Sequence, residues 1–240
     1  MSAVLEVGDR TITAEEIIPL LANYQMLPQL MRESIIDSAI APFTCTPEET
    51  ARACQQFFQR NQLASEIEQQ AWMQRYGINS DQLVSIATRR LRIEKFKQAT
   101  WGSKLETYFL KRKRQLDKVI YSLLTIKDKA LAQELYFRVQ EKEQSFSELA
   151  CEYSQGPEAH TGGIRGPVEL GNLNPNLAQI LSASQPGQLW RPVPLGEYRA
   201  IVRLEKLIPA RLDAAMRQQL LDELFKSWLS EQLRQLPHLN

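Results

Sequence analysis

The sequence has few of the residues that build metal sites and disulfide frameworks. Its 240 residues include three cysteines (Cys45, Cys54 and Cys151) and two histidines, His160 and His238. The cysteines are odd in number and lack a C-x-x-C spacing, which argues against both a disulfide framework and a zinc site. We therefore expect neither a metal ion nor a cofactor.

Long apolar runs are also missing. No stretch approaches the roughly 20 consecutive apolar residues that a membrane-spanning helix needs. The first residues, MSAVLEVGDRTITAEE, lack the basic and apolar regions of a signal peptide. These absences predict no membrane insertion and a cytoplasmic location.

A net charge of +1 conceals one basic segment. Residues 81–118 contain 11 basic and 4 acidic side chains, a balance that could serve nucleic acid or a membrane surface. However, Leu91, Ile93 and Phe96 interrupt the basic residues at helical spacing, which is typical of the wet face of a packed helix. We favour the packed helix and expect no nucleic-acid partner.

Apolar periodicity divides the chain into three parts. Residues 1–115 are predicted to be helical, and the clearest helix start is Thr46-Pro47-Glu48-Glu49, with an N-cap, a proline in the first turn and a glutamate at the third position. Residues 116–208 open with the β-type run VIYSLLT and continue as helices, a glycine-rich loop and two strands. Residues 209–240 contain one amphipathic helix.

This order predicts an α+β fold in which the C-terminal helix completes the helical module and the α+β domain is an insertion. The last helix has an apolar stripe that includes Trp228. Leaving such side chains in water costs about 1.5–3 kcal/mol for each large one. We therefore expect this helix to pack on the N-terminal helices.

The inserted part contains, in order, SFSELACEYSQGPEAHTGGIRGPVEL, NPNLAQILSASQPGQLWRPV and EYRAIVRLEKL. These motifs resemble the parvulin family of peptidyl-prolyl isomerases. The opening VLEVGDRTITAEE resembles the helical chaperone module of the SurA and PrsA foldases. The resemblance implies a chaperone-like module at 1–115, a parvulin-like rotamase domain at 116–208 and a returning helix at 209–240.

The resemblance also implies where a site would lie. Parvulins carry two histidines on adjacent central strands, and these positions match Ser122 and Arg199. The loop position that holds Asp or Cys in the family falls at Gln155 or Gly156. In the family an aromatic and methionine-rich cup receives the proline ring. The cup positions here are aliphatic: Val168, Leu173 and Leu177.

The internal histidine, His160, lies just before a glycine pair rather than on a strand. A general base needs a partner within hydrogen-bond reach, and the sequence offers none. We interpret the glycines as residues that permit positive φ where the loop folds back over the site.

Two functions remain open. One is a foldase of the peptidyl-prolyl isomerase family that binds unfolded or X-Pro-containing polypeptide, with weak turnover because the family histidines are absent. The other is a non-catalytic chaperone or adaptor that delivers such clients to an export machine, which rests on family association alone. Turnover of an X-Pro peptide would distinguish them.

Overall fold

The computed structural model describes residues 3–236, and His238 lies outside them. The helices are α1 (Ala14–Asn23), α2 (Leu27–Ile40), α3 (Pro47–Arg60), α4 (Glu66–Tyr76), α5 (Ser80–Trp101), α6 (Leu105–Leu116), α7 (Lys129–Gln140), α8 (Phe146–Tyr153), α9 (Pro175–Ala183) and α10 (Ala214–Arg234). The strands are β1 (Ala3–Val7), β2 (Arg10–Thr13), β3 (Lys118–Ile126), β4 (Ile164–Glu169), β5 (Leu189–Leu195) and β6 (Tyr198–Ile208).

Two compact units make up the chain. Unit 1 comprises Met1–Leu105 together with Arg217–Asn240, and unit 2 comprises Glu106–Met216. The predicted class, a helical module with an inserted α+β domain, is confirmed. From Glu106 onward, helix α6 falls in unit 2 rather than in the helical module, and one residue separates its end from the start of β3. Within residues 3–236, no helix is long and apolar enough to cross a membrane.

The predicted start of α3 is confirmed. The Thr46 amide donates to Glu49 Oε2 at 2.8 Å, and the Glu49 amide donates to Thr46 Oγ1 at 3.3 Å. This reciprocal capping box satisfies two donors that the first helical turn would otherwise leave unpaired.

In unit 1, α10 packs against α2 and α5, as its apolar stripe predicts. Ile36, Ile40 and Leu229 are buried in one cluster. The rings of Phe96 and Trp228 lie beside this cluster, with centroids 5.0 Å apart. The C-terminal helix therefore shares a core with helices that precede the inserted unit.

Ion pairs engage at least four of the eleven basic side chains in residues 81–118. Lys97 Nζ lies 2.7 Å from Glu94 Oε1 and 2.6 Å from Asp222 Oδ1. Lys95 Nζ lies 2.5 Å from Glu49 Oε2. Further pairs join Arg89 to Glu33 and Asp37, and Lys113 to Asp117. This pairing favours a structured helix face over a free cationic surface.

An antiparallel sheet with strand order β4-β3-β6-β5 forms the centre of unit 2. Successive side chains of a strand point to opposite faces of a sheet. One face, which carries Leu124 and Ile201, packs on α7 and α8, and we call it the α8 face. The other face, which carries Leu123 and Ala200, packs on α9, and we call it the α9 face.

Strand β4 replaces part of the expected loop. Its sequence, IRGPVE, contains glycine and proline, which are depleted in strands and obscure the signal. The strand lies at the edge of the sheet, where proline is tolerated. It carries one of the predicted site residues, Val168.

Candidate functional site

The three predicted cup residues come together on the α9 face. Val168 in β4 and Leu173 before α9 are half-buried, whereas Leu177 in α9 is 5% exposed. Leu177 is therefore a core residue of unit 2. Val168 and Leu173 form a partly exposed apolar wall, which a proline ring could contact.

Ser122 does not lie beneath this wall. Its hydroxyl donates to Glu205 Oε1 at 2.5 Å, and the same oxygen accepts from Arg203 Nε at 2.7 Å. The Arg203 guanidinium lies 5.2 Å from the ring centroid of Phe146, a core residue of the α8 face. The predicted position of Ser122 in the site is therefore wrong, because its side chain projects from the opposite face.

The side chain of Arg199 also projects from the α8 face rather than toward the wall. Its register partner on β3 is Ile126, which belongs to the α8 face, and register partners project from the same face. A one-residue offset along a strand exchanges the two faces. The residues beneath the wall are therefore Leu123 and Ala200, each one position on from the predicted pair, and both are buried. The base of the site is apolar.

A buried carboxylate lies at the loop position where the resemblance implies Asp or Cys. A Cβ atom built on Gly156 would lie 2.3 Å from Glu158 Oε1 and 2.4 Å from Oε2. Glu158 is 2% exposed, and its Oε1 accepts from Thr125 Oγ1 at 2.5 Å and from Ser154 Oγ at 2.7 Å. Glu158 thus fills the space that Gly156, which has no side chain, leaves open.

Gln155 has a structural position. Its amide donates to the Thr125 carbonyl at 2.8 Å, and its side-chain Oε1 accepts from the Lys127 amide at 3.0 Å. Both contacts fasten the loop to the end of β3. The side-chain oxygen of Gln155, which was predicted to be catalytic, is therefore already engaged by the backbone at the end of β3.

The glycine pair has the conformation that the sequence predicts. Gly162 and Gly163 have φ values of +59° and +85°. A Cβ atom on Gly163 would lie 2.9 Å from the Leu123 carbonyl oxygen, which is too close for any side chain. His160 is exposed on the 3₁₀ turn Pro157–Thr161. The same turn carries Glu158, so the loop acts as a scaffold that brings Glu158 onto β3.

Tyr121 and Arg165 form a polar pair on the α9 face. They are register partners of β3 and β4, which places the guanidinium near the phenol. Burial raises the pKa of the Tyr121 phenol, whereas the hydrogen bond and charge of Arg165 act in the opposite direction. The nearby Glu158 carboxylate adds to the rise. Tyr121 is 3% exposed, but Arg165 is exposed. The pair therefore presents an exposed cation beside a buried phenol.

Sequence reasoning missed Tyr121, Glu158 and Arg165. Tyr121 belongs to the predicted strand, but its face depends on the register. Glu158 follows Gly156 by two residues, and this spacing was the one local signal available. Arg165 lies in the strand that was expected to be a loop.

Comparison with known proteins agrees with this architecture. The rotamase family model, described as PPIC-type PPIASE domain, matches residues 125–206. A structure of the peptidylprolyl isomerase PrsA from Bacillus cereus aligns over 100% of this chain and 93% of its own length, with 18% identity and a TM-score of 0.53. That likeness shows a shared fold. No curated protein matches the chain.

Two other solved structures align at TM-scores below 0.5 and add nothing to the assignment. One is a SurA-like chaperone of Campylobacter jejuni, with 14% identity over 98% of this chain and 94% of its own, and a TM-score of 0.38. The other is the parvulin domain of PpiD from Escherichia coli, with 25% identity over 42% of this chain and 97% of its own, and a TM-score of 0.36. The loop of the site and strands β4, β5 and β6 lie within the match to the rotamase family model, whereas most of β3 precedes it, so that residues 125–206 are similar to a PPIC-type peptidyl-prolyl isomerase domain.

Proposed function

We propose that the α9 face of unit 2 binds proline-containing segments of unfolded polypeptides and turns them over only weakly. The observation that carries this proposal is the pairing of an apolar wall, Val168 and Leu173, with an exposed cation, Arg165, on one sheet face. The wall suits the proline ring. The cation suits the carbonyl oxygen of the preceding residue.

Rotation about an X-Pro bond requires no nucleophile. The planar amide loses its resonance in the twisted form, which gives a barrier of about 18–20 kcal/mol. A site accelerates rotation only when it binds the twisted form better than both planar isomers. Arg165 could do this by donating to the carbonyl oxygen, which becomes more basic as resonance is lost. Tyr121 would act as a positioning residue, because its phenol lies beside Arg165 across the two paired strands.

Turnover is expected to be weak because the two residues beneath the wall, Leu123 and Ala200, have no polar side-chain atom. The residues that match the family histidines, Ser122 and Arg199, project from the opposite face. Glu158 is close to the site, but its Oε1 is occupied by two hydroxyl donors and the residue is 2% exposed. Electrostatic stabilisation therefore depends chiefly on Arg165. Removing one donor from a water-excluded oxyanion hole costs on the order of 2.7–4 kcal/mol, and we expect a smaller loss here because Arg165 is exposed to solvent.

A second candidate is a chaperone or adaptor without isomerase activity. The apolar base under the wall favours it, because peptide binding needs the wall and the cation but no acid or base. Delivery of clients to an export machine belongs to this candidate and rests on family association alone.

The test uses the full chain and a fluorescent Ala-Ala-Pro-Phe peptide. Binding is measured by anisotropy and cis–trans exchange by NMR. We expect binding with slow exchange, and Arg165→Gln should lower the exchange rate about tenfold, equivalent to ~1.4 kcal/mol. Arg199→Gln is the matched control, since it removes the same charge from the opposite face. Equal losses in the two variants would contradict the site, and binding without exchange would select the adaptor.

We also propose a cytoplasmic location. Cys45, Cys54 and Cys151 are free thiols, as is usual for proteins of a reducing compartment. Cell fractionation with thiol labelling tests this, and recovery of the chain outside the cytoplasm would refute it.

A further inference from the structure

A groove in unit 1 lies between α3 and α5 and has a volume of about 520 Å³. Volumes of 300–1,000 Å³ are common for binding sites. Its lining runs from Glu49 to Arg60 on α3 and from Ile86 to Glu94 on α5. At 1.5 Å of rise per residue, these stretches extend over about 12–17 Å, the length of two to three helical turns.

Apolar side chains form the floor of the groove. The lining includes Ala53, Phe57, Ile86, Ala87 and Leu91. Ile86 is 43% exposed, and Phe57 is half-buried and packs edge-on against Trp72 at 5.2 Å. The floor is therefore apolar surface left in contact with water along a groove that α3 and α5 hold open.

The rim of the groove is positive. Arg52, Arg60 and Arg90 line it and are exposed. Within residues 3–236, neither Arg60 nor Arg90 has a salt bridge or hydrogen bond to another side chain. The two acids of the rim are already paired, Glu49 with Lys95 at 2.5 Å, and Glu94 with Lys97 at 2.7 Å. The acids therefore do not cancel the field of the arginines.

We propose that this groove binds an acidic amphipathic helix of a partner protein. Such a helix can lay its apolar face on the floor, as amphipathic helices do in other hydrophobic grooves. Its carboxylates would then meet Arg60 and Arg90, whose planar guanidinium groups suit carboxylates. A nucleic-acid strand would match the arginines but not a floor that, apart from Phe57, is aliphatic.

The probe is a fluorescein-labelled 14-residue peptide without proline. Leucine occupies one helical stripe and glutamate most other positions. Anisotropy with the full chain should show saturable binding that weakens as salt rises from 50 to 300 mM. A peptide with lysine in place of each glutamate should bind at least tenfold more weakly. Equal binding of both peptides would overturn the proposal.

The decisive variant is Arg60→Glu with Arg90→Glu, which should weaken binding of the acidic peptide at least tenfold. The matched control is Arg75→Glu with Lys104→Glu, which makes the same charge change on exposed residues of unit 1 outside the groove. Control affinity should stay within about twofold of the parent chain. Circular dichroism verifies that both variants are folded, and equal weakening in both would overturn the proposal.

Ile86→Ser tests the floor without changing charge, and it should weaken binding at least threefold. Two other occupants are tested directly. Displacement of the peptide by single-stranded DNA at lower concentrations than by unlabelled peptide would make the occupant a nucleic acid and refute the proposal. If the chain self-associates and Arg60→Glu with Arg90→Glu abolishes the association, the occupant is a second copy of the chain, and the proposal is also refuted. Because the probe has no proline and the variants lie in unit 1, failure here leaves the proposed function of unit 2 untouched.

Discussion

The Glu158 carboxylate occupies the space that a side chain at position 156 would fill. We expect its hydrogen bonds to stabilise unit 2. Glu158→Ala removes the acceptor for two hydroxyl groups, the buried Thr125 Oγ1 and the half-buried Ser154 Oγ. Each unsatisfied donor costs about 1–3 kcal/mol. We therefore expect this variant to reduce the free energy of unfolding of unit 2 by roughly 2–5 kcal/mol.

A second substitution makes this prediction specific. Gly156→Asp alone should also destabilise unit 2, because its Cβ would lie 2.3 Å from the Glu158 carboxylate and would bring a like charge beside it. The backbone itself permits the change, since Gly156 has φ −100° and ψ 174°. When Gly156→Asp and Glu158→Ala are combined, the new carboxylate should enter the vacated space. The double variant should then be at least ~1 kcal/mol more stable than the sum of the single effects predicts.

Urea unfolding of the full chain, followed by pulsed hydrogen exchange, measures both units separately. Peptides from β3 report on unit 2, and peptides from α3 serve as the internal control in unit 1. Glu152→Gln, on an exposed residue of α8, should change stability by less than about 0.5 kcal/mol. If the losses in free energy of unfolding for Gly156→Asp and Glu158→Ala simply add in the double variant, the new carboxylate does not replace that of Glu158, and the prediction is refuted. A cost below about 1 kcal/mol for Glu158→Ala would refute the role of the buried carboxylate.

Three further predictions concern the fold. Gly163→Ala should destabilise unit 2 by about 1–3 kcal/mol in the same urea experiment, because φ is +85° and the new methyl group would press on the Leu123 carbonyl oxygen; a neutral effect would contradict this. Burial lowers the pKa of Lys97, but hydrogen bonds to Asp222 and Glu94 outweigh burial and raise it above 10.5. The stabilisation by charged Lys97 is complete below the pKa that this lysine has in the unfolded chain, and it is lost as pH rises through the pKa of the folded state. The free energy of unfolding should therefore fall above about pH 10.5. In Lys97→Met the part of this fall that is due to Lys97 should vanish. Truncation after Pro209 should lower the melting temperature of unit 1, since α10 shares its core; an unchanged melting temperature would contradict the packing of α10.

The sequence determined the features that depend on neighbouring residues. The capping box of Thr46 and Glu49 follows from contacts within a few residues, and glycine itself permits the positive φ of Gly162 and Gly163, so local chemistry predicts both features. The return of the C-terminal helix was also predictable, because an apolar stripe with Trp228 has to be covered.

Only the tertiary structure decided which side chains form the site. Ser122 and Leu123 are adjacent in sequence, but the register of β3 and β6 sends them to opposite faces. An alignment that errs by one residue therefore exchanges a buried structural serine for the apolar base of the site. The carboxylate of Glu158 folds back over Gly156 because the glycine loop is held on β3, and Arg165 meets Tyr121 because β4 pairs there. These contacts join segments that are distant in the chain, and their geometry is fixed by strand pairing rather than by local sequence.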